Sequence, residues 1–283
     1  MANFEEKLTL QADSISEYLN AGKVDKRLQD IKVLMYHRIL SENEYDNKHW
    51  TGVHVNHFEE HLKVLELFGF TPITFTDLRF FLTKDLELPR KPVIITFDDG
   101  YKDYYDLAHP LLMQYGMRAV VFAIGDRKIR ENIWDDENII ERAPLMTDEE
   151  LISIFDDGVE IGAHSYSHKP LTKITPAELE AEIFECKDSL EELLETDIHT
   201  FCYPYGLDNE EVQSVVKKSG FTFGCSVYNG PLQFGDSLFC IHRVTIKNGM
   251  GALGFALRIL TPYEYLELGG SKVKKMIKNL INT

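Results

Sequence analysis

Val93-Ile94-Ile95-Thr96-Phe97-Asp98-Asp99-Gly100 is the stretch on which the fold turns. β-branched and aromatic residues run without polar interruption and stop at two carboxylates and a glycine. A strand that does not alternate apolar with polar is covered on both faces, the situation of a parallel sheet inside an α/β protein. Residues 31–36, 119–124, 159–163, 199–203, 221–227 and 239–246 read as further strands, several equally continuous.

Helical patterns fill the intervals. Residues 58–68 carry apolar side chains at helical spacing and end at Gly69. Thr147-Asp148-Glu149-Glu150 and Thr175-Pro176-Ala177-Glu178 are capping boxes, in which the threonine hydroxyl and the glutamate each satisfy an exposed backbone amide. Pro176 stands where a missing donor costs nothing. The second box opens a helix to about residue 195, and 208–218 form another, closed by Gly220. Strand and helix in repeated order predict parallel βαβ units, and about seven strands predict a closed barrel rather than an open sheet. With no Pro, Gly or Ser-rich linker and no internal repeat, 31–260 form a single domain, with a helical leader over 1–30 and a helical tail over 261–283.

Composition narrows the function. The 283 residues carry a formal charge of −16, which disfavours nucleic acid as a partner because such binding needs a cationic face. The start, Met1-Ala-Asn-Phe-Glu-Glu6, has neither the cationic end nor the apolar run of a signal peptide, so a cytoplasmic protein is expected. The late apolar run 250–260 is too short to span a bilayer. The four cysteines lack Cys-x-x-Cys spacing and read as reduced, buried thiols. Residues 271–283 form a basic amphipathic pattern whose first reading is a packed terminal helix, with peripheral membrane contact second.

Parallel barrels build active sites at the carboxyl ends of their strands. Those positions hold Tyr36-His37-Arg38, Asp98-Asp99-Gly100, His164-Ser-Tyr-Ser-His168 and Tyr203-Pro-Tyr-Gly206, with His242-Arg243 within the last strand. One aspartate and two histidines suit a divalent metal such as Zn and leave a coordination position open. His164 and His168 share a face if the chain turns helically after its strand. Side chains alternate along a strand, so one of the paired aspartates can ligate while the other serves as a base. Asp-Asp-Gly alone is an ordinary turn, and His-x-x-x-His arises by chance among ten histidines. Their joint placement at separate strand ends is what points to a site.

Thr96-Phe97-Asp98-Asp99-Gly100-Tyr101, Glu160-Ile161-Gly162-Ala163-His164-Ser165-x-x-His168 and Tyr203-Pro204-Tyr205-Gly206 resemble, in order, the first three motifs of the polysaccharide deacetylase family, the NodB-homology carbohydrate esterases. The resemblance spans about 31–246 and implies a distorted (β/α) barrel that hydrolyses acetyl groups, chiefly N-acetyl, from sugars, glycoconjugates or polysaccharides. It implies Asp99, His164 and His168 as ligands of a divalent metal, Zn or Co, with Asp98 as the base. Tyr205, near the expected oxyanion donor, Tyr101 and Arg243 are the substrate-binding candidates. The family's late Leu-x-His motif is poorly matched by Cys240-Ile-His-Arg-Val-Thr-Ile246, whereas Val33-Leu-Met-Tyr-His37 resembles the permuted deacetylases of poly-N-acetylglucosamine, so His37 is expected as the acid ahead of His242. Phe201-Cys202-Tyr203 lacks the family's third-motif arginine, leaving Arg243 or Arg38 to supply that charge. The aromatic motif with Trp is replaced by Val227-Tyr-Asn-Gly230. A sugar-binding barrel without catalysis and a hydrolase of small non-sugar amides are the alternatives.

Overall fold

A computed structural model describes residues 31–45, 50–82, 87–135, 141–227 and 238–261. The leader expected over 1–30 and the tail beyond Thr261 lie outside the described residues. The strands are β1 Lys32–Tyr36, β2 Arg38–Leu40, β3 Gly52–His54, β4 Thr71–Ile73, β5 Pro92–Phe97, β6 Val120–Ala123, β7 Glu160–Ala163, β8 Thr200–Cys202, β9 Phe223–Cys225 and β10 Val244–Thr245. The main sheet runs β10-β1-β5-β6-β7-β8-β9, with every pairing parallel, and all seven expected strands are in it.

The distortion of the barrel has two visible sources. β5 shares one edge between β4, which pairs with its amino-terminal half, and β6, which pairs with its carboxyl-terminal half. At the other seam, residues 238–241 bond to β9 through Gly224 and Ser226 before β10 joins β1 at Leu34 and Met35, so one segment carries the circuit from β9 back to β1. The expected strand over 239–246 is therefore split between two neighbours. The short β2, β3 and β4 have no pattern long enough to show in sequence, and β2 pairs with β3 in a separate small sheet.

Both strand faces are buried, as continuous apolar runs require. Val33, Ile94, Val120, Phe122 and Phe223 pack in one cluster, while Leu34, Val93, Ile95, Phe97 and Val121 pack in another that includes the apolar faces of the helices. Gly162 is bare because an added Cβ would lie 2.5 Å from the Phe122 ring.

The helices start where their caps dictate. Val55–Leu67 begins three residues ahead of the periodic run because His54 accepts from the Asn56 amide, and it buries Phe58, His61, Leu62 and Leu65 on one face. Both capping boxes form, opening helices Asp148–Asp156 and Pro176–Leu194. Such a cap contributes about 1 kcal/mol, enough to fix where each helix leaves the sheet. Helices Phe75–Leu82, His109–Gln114, Glu210–Lys218 and Ala252–Leu260 are the other α-helices among the described residues. No helix among the described residues is long and apolar enough to cross a membrane.

Candidate active site

The carboxyl ends of the strands surround a cleft of about 200 Å³. His37, Arg38, Asp98, Asp99, Tyr101, His164, His168 and Tyr205 all line it, together with Trp50, Trp134 and Asp135. His242 and Arg243 are not among the lining residues.

The two aspartates that end β5 have different partners. Asp98 remains on the inner face, where Arg243 Nη1 donates to its Oδ1 at 2.6 Å and Nη2 donates to its Oδ2 at 2.8 Å. The same guanidinium donates to Thr96 Oγ1, the Ser226 carbonyl and Cys202 Sγ, so it is fully partnered although only 1% exposed. Burial alone would raise the Asp98 carboxyl, but the charge and hydrogen bonds of Arg243 outweigh it and hold the group below the ordinary aspartate range. Arg243 thus brings to Asp98 the charge missing from residues 201–203. The thiol of Cys202, 3.1 Å from Nη2, also lies 3.6 Å from Asp98 Oδ2.

Arg38, the other candidate for that charge, is engaged elsewhere. Its Nε donates to Asp103 Oδ2 at 2.7 Å, and its guanidinium lies 5.5 Å from the centre of the Tyr101 ring. Asp103, which also accepts from the Ile39 amide, is pushed up to about 6 by burial despite that pairing.

Asp99 has left the strand. Its φ of 75° lies in the left-handed region, which a residue bearing Cβ enters only at a cost, so its separation from Asp98 comes from this turn and not from strand alternation. The turn aims Oδ1 at His164 Nε2 and His168 Nε2, each 3.2 Å away. His164 Nδ1 lies 2.8 Å from the Cys202 carbonyl and donates to it, which leaves the Nε2 lone pair facing Asp99.

The histidine pair is not brought together by a helical turn. Ser165 and His168 both adopt positive φ, and Ser165 Oγ accepts from the His168 amide at 3.0 Å. This tight loop sets the rings 4.9 Å apart. Trp134 stacks on His168 at 4.3 Å and Tyr205 meets it edge-on at 4.7 Å.

The donor set fits a divalent cation. Ligand atoms bound at about 2.0–2.1 Å around a tetrahedral ion lie about 3.3 Å from one another, close to the Asp99–histidine separations. Asp99 Oδ1 is a buried oxygen without a hydrogen-bond partner, an arrangement expected where a cation supplies the missing contact. Asp98, His164 and Cys202 make a second close group, but Asp98 is committed to Arg243 and burial pushes the Cys202 thiol up to about 11, which disfavours thiolate ligation.

His37 sits on the rim, with Nε2 3.9 Å from Asp98 Oδ2. Tyr101 is mostly buried in the wall, with its hydroxyl 3.5 Å from Asp135. Tyr205, at φ 59°, is half exposed at the mouth, and Trp50 is exposed on the lining as well. Sequence reasoning missed Trp50, Trp134 and Asp135. Trp134 and Asp135 lie in the segment that follows β6, which the strand-end rule would have included had residues 125–135 been read alongside the other strand ends.

Residues 85–224 match the family model for polysaccharide deacetylase. The chain is 28% identical over 254 residues to YxkH of Bacillus subtilis (strain 168), whose name places it provisionally among polysaccharide deacetylases; the match covers 90% of this chain and 85% of YxkH. It is 25% identical over 235 residues to the poly-β-1,6-N-acetyl-D-glucosamine N-deacetylase of Staphylococcus aureus (strain MRSA252), covering 76% of this chain and 78% of that enzyme. The Streptococcus pyogenes deacetylase PplD, solved in complex with acetate, superposes with a TM-score of 0.70 at 22% identity, covering 82% of this chain and 98% of PplD, and so supports the fold. The motifs at the strand ends, the parallel barrel and the family match agree: residues 85–224 form a polysaccharide deacetylase domain.

Proposed function

We propose that the protein is a metal-dependent N-deacetylase of a sugar polymer, hydrolysing an acetamide to acetate and a free amine. The observation that carries this is the division of two adjacent aspartates inside one cleft, Asp98 bound by Arg243 and Asp99 facing His164 and His168. A structural turn needs no such division, and burying it without chemistry to perform would be costly.

Asp99, His164 and His168 would hold the cation. The chemistry a divalent ion such as Zn or Co supplies at such a site is Lewis acidity, toward a carbonyl oxygen and toward water. Asp98 is the base that takes the proton of the attacking water. Its Oδ1 keeps a second lone pair beside the bond from Arg243, its Oδ2 also accepts from the Cys202 thiol at 3.6 Å, and the guanidinium holds the group ionised until the proton arrives. A backbone amide of the turn at Tyr205 would donate to the developing oxyanion, a contact typically contributing about 3–4 kcal/mol. His37, as imidazolium, gives its proton to the departing sugar nitrogen when the C–N bond breaks. Arg243 lies beneath the base, outside the cleft lining, and acts on Asp98 rather than on substrate. Trp50 and Tyr205 offer exposed aromatic faces at the cleft for a pyranose ring.

The Staphylococcus aureus relative directs the choice of substrate to β-1,6-linked N-acetylglucosamine oligomers. Incubating the protein with these and with other N-acetylated sugars, before and after chelation and with Zn or Co restored, tests the proposal. Acetate release that disappears on chelation and returns with metal is expected. Metal uptake without acetate from any sugar would favour a binding barrel, and release that survives chelation would remove the metal from the mechanism.

A further inference from the structure

We propose that Glu182 is a positioning residue that holds the loop bearing His168 in its ligating conformation. The inference rests on the metal-dependent reading above, and no sequence motif marks this residue. Glu182 lies on the helix Pro176–Leu194, on the side facing the active-site loop, and is 4% exposed. A buried carboxylate is costly unless it is fully bonded, and helix packing alone would be served better by an apolar side chain.

The bonds of Glu182 go to the loop between the two histidines. Its Oε2 accepts from the Ser167 amide at 2.8 Å, and its Oε1 accepts from the Ser167 hydroxyl at 2.5 Å. Lys169 Nζ lies 3.3 Å from the same Oε1, and the Glu182 carbonyl accepts from the Tyr166 amide at 2.8 Å. Residues 166, 167 and 169 are therefore tied to one point on a long helix.

What this tie opposes is visible in the backbone. Ser165 and His168, on either side of the tied residues, are both in the left-handed region. Each costs roughly 1 kcal/mol or more for a residue with a side chain and persists only where its surroundings over-determine it. Trp134 and Tyr205 restrain the His168 ring, but neither holds its backbone. Released from Glu182, the loop can relax toward ordinary φ, which would carry His168 Nε2 away from Asp99.

Glu178, on the same helix, provides the control, because its carboxylate hydrogen-bonds Thr175 in the capping box and meets the histidine loop only through the charge of Lys169. Zn affinity of the full chain would be measured by competition with a chromophoric chelator, with the visible spectrum of the Co-loaded protein and the melting temperature recorded alongside. Glu182→Ala removes both acceptors of Ser167 and should weaken Zn about 10–100-fold, the usual range for residues that orient ligands, with an altered Co spectrum. Glu178→Ala, which removes the capping-box acceptor, should lower the melting temperature with Zn affinity unchanged. Should Glu182→Ala fail to fold, Ser167→Ala removes one of the same bonds and should weaken Zn several-fold. Wild-type affinity and Co spectrum in whichever of the Glu182 and Ser167 variants folds would overturn the inference while leaving metal dependence intact. A wild-type protein that takes up neither Zn nor Co would overturn both.

Discussion

The two ends of the barrel interior treat a carboxylate in opposite ways. At the amino end, Glu160 of β7 accepts from the Thr76 amide at 2.8 Å and from the Thr200 hydroxyl at 3.0 Å, in ordinary strand geometry. At the carboxyl end, Asp99 is strained, and its Oδ1 faces two imidazoles without a hydrogen bond. Titration follows the same division. Burial raises the Glu160 carboxyl, whereas at Asp98 the effect of burial is overcome by Arg243 and the group is lowered. One acid is drawn in and satisfied by neutral donors, and the others are kept charged and available. The division agrees with the general rule that barrels place chemistry at the carboxyl end and stability at the amino end.

The comparison can be broken from either end. The largest effect is expected at His37. His37→Ala should lower deacetylation by about 10²–10⁴-fold with metal content unchanged, as for loss of a general acid, whereas His242→Ala should leave most activity. Measuring both side by side decides which histidine serves, and the reverse pattern would move the acid to the last strand.

Arg243→Met comes next, since breaking one side of a buried ion pair typically costs about 3–5 kcal/mol. A fall of that order in unfolding free energy, read from denaturant midpoints, would accompany loss of activity. Unchanged stability would mean that Asp98 does not depend on Arg243.

The smallest effect belongs to the amino end. Because Glu160 binds its proton more tightly in the folded chain than in the unfolded one, its contribution to stability is fully present below the unfolded value, 4.5, and is lost as pH rises through the raised folded value. Glu160→Gln should remove part of the decline in denaturant midpoint as pH rises above 4.5 while leaving acetate release nearly unchanged. A large loss of activity in this variant would erase the functional distinction between the two ends.

The residues at strand ends were legible in the sequence because continuous apolar runs announce where a parallel strand stops. His37, Asp98, Asp99, His164 and His168 all follow such runs, and the structure brings them to one cleft. The contact between Arg243 and Asp98 joins positions 145 residues apart and depends on how the last strand closes the barrel, which no local pattern encodes. The spacing of His164 and His168 suggested a helical turn, but Ser165 competes for the backbone with its own hydroxyl and the loop tightens instead. Glu182 was illegible for another reason: one acid among many on an acidic helix looks solvated until the loop packed over it is known. β2, β3 and β4 are three residues each, below the length at which periodicity carries a signal.

The most direct measurement is acetate release from β-1,6-linked N-acetylglucosamine oligomers by Asp98→Asn, with bound metal quantified on the same sample. If Asp98 is the base and Asp99 belongs to the metal, the variant should keep its metal and lose at least about a hundredfold in rate. Near-wild-type acetate release from metal-loaded Asp98→Asn would contradict the division of labour between the two aspartates.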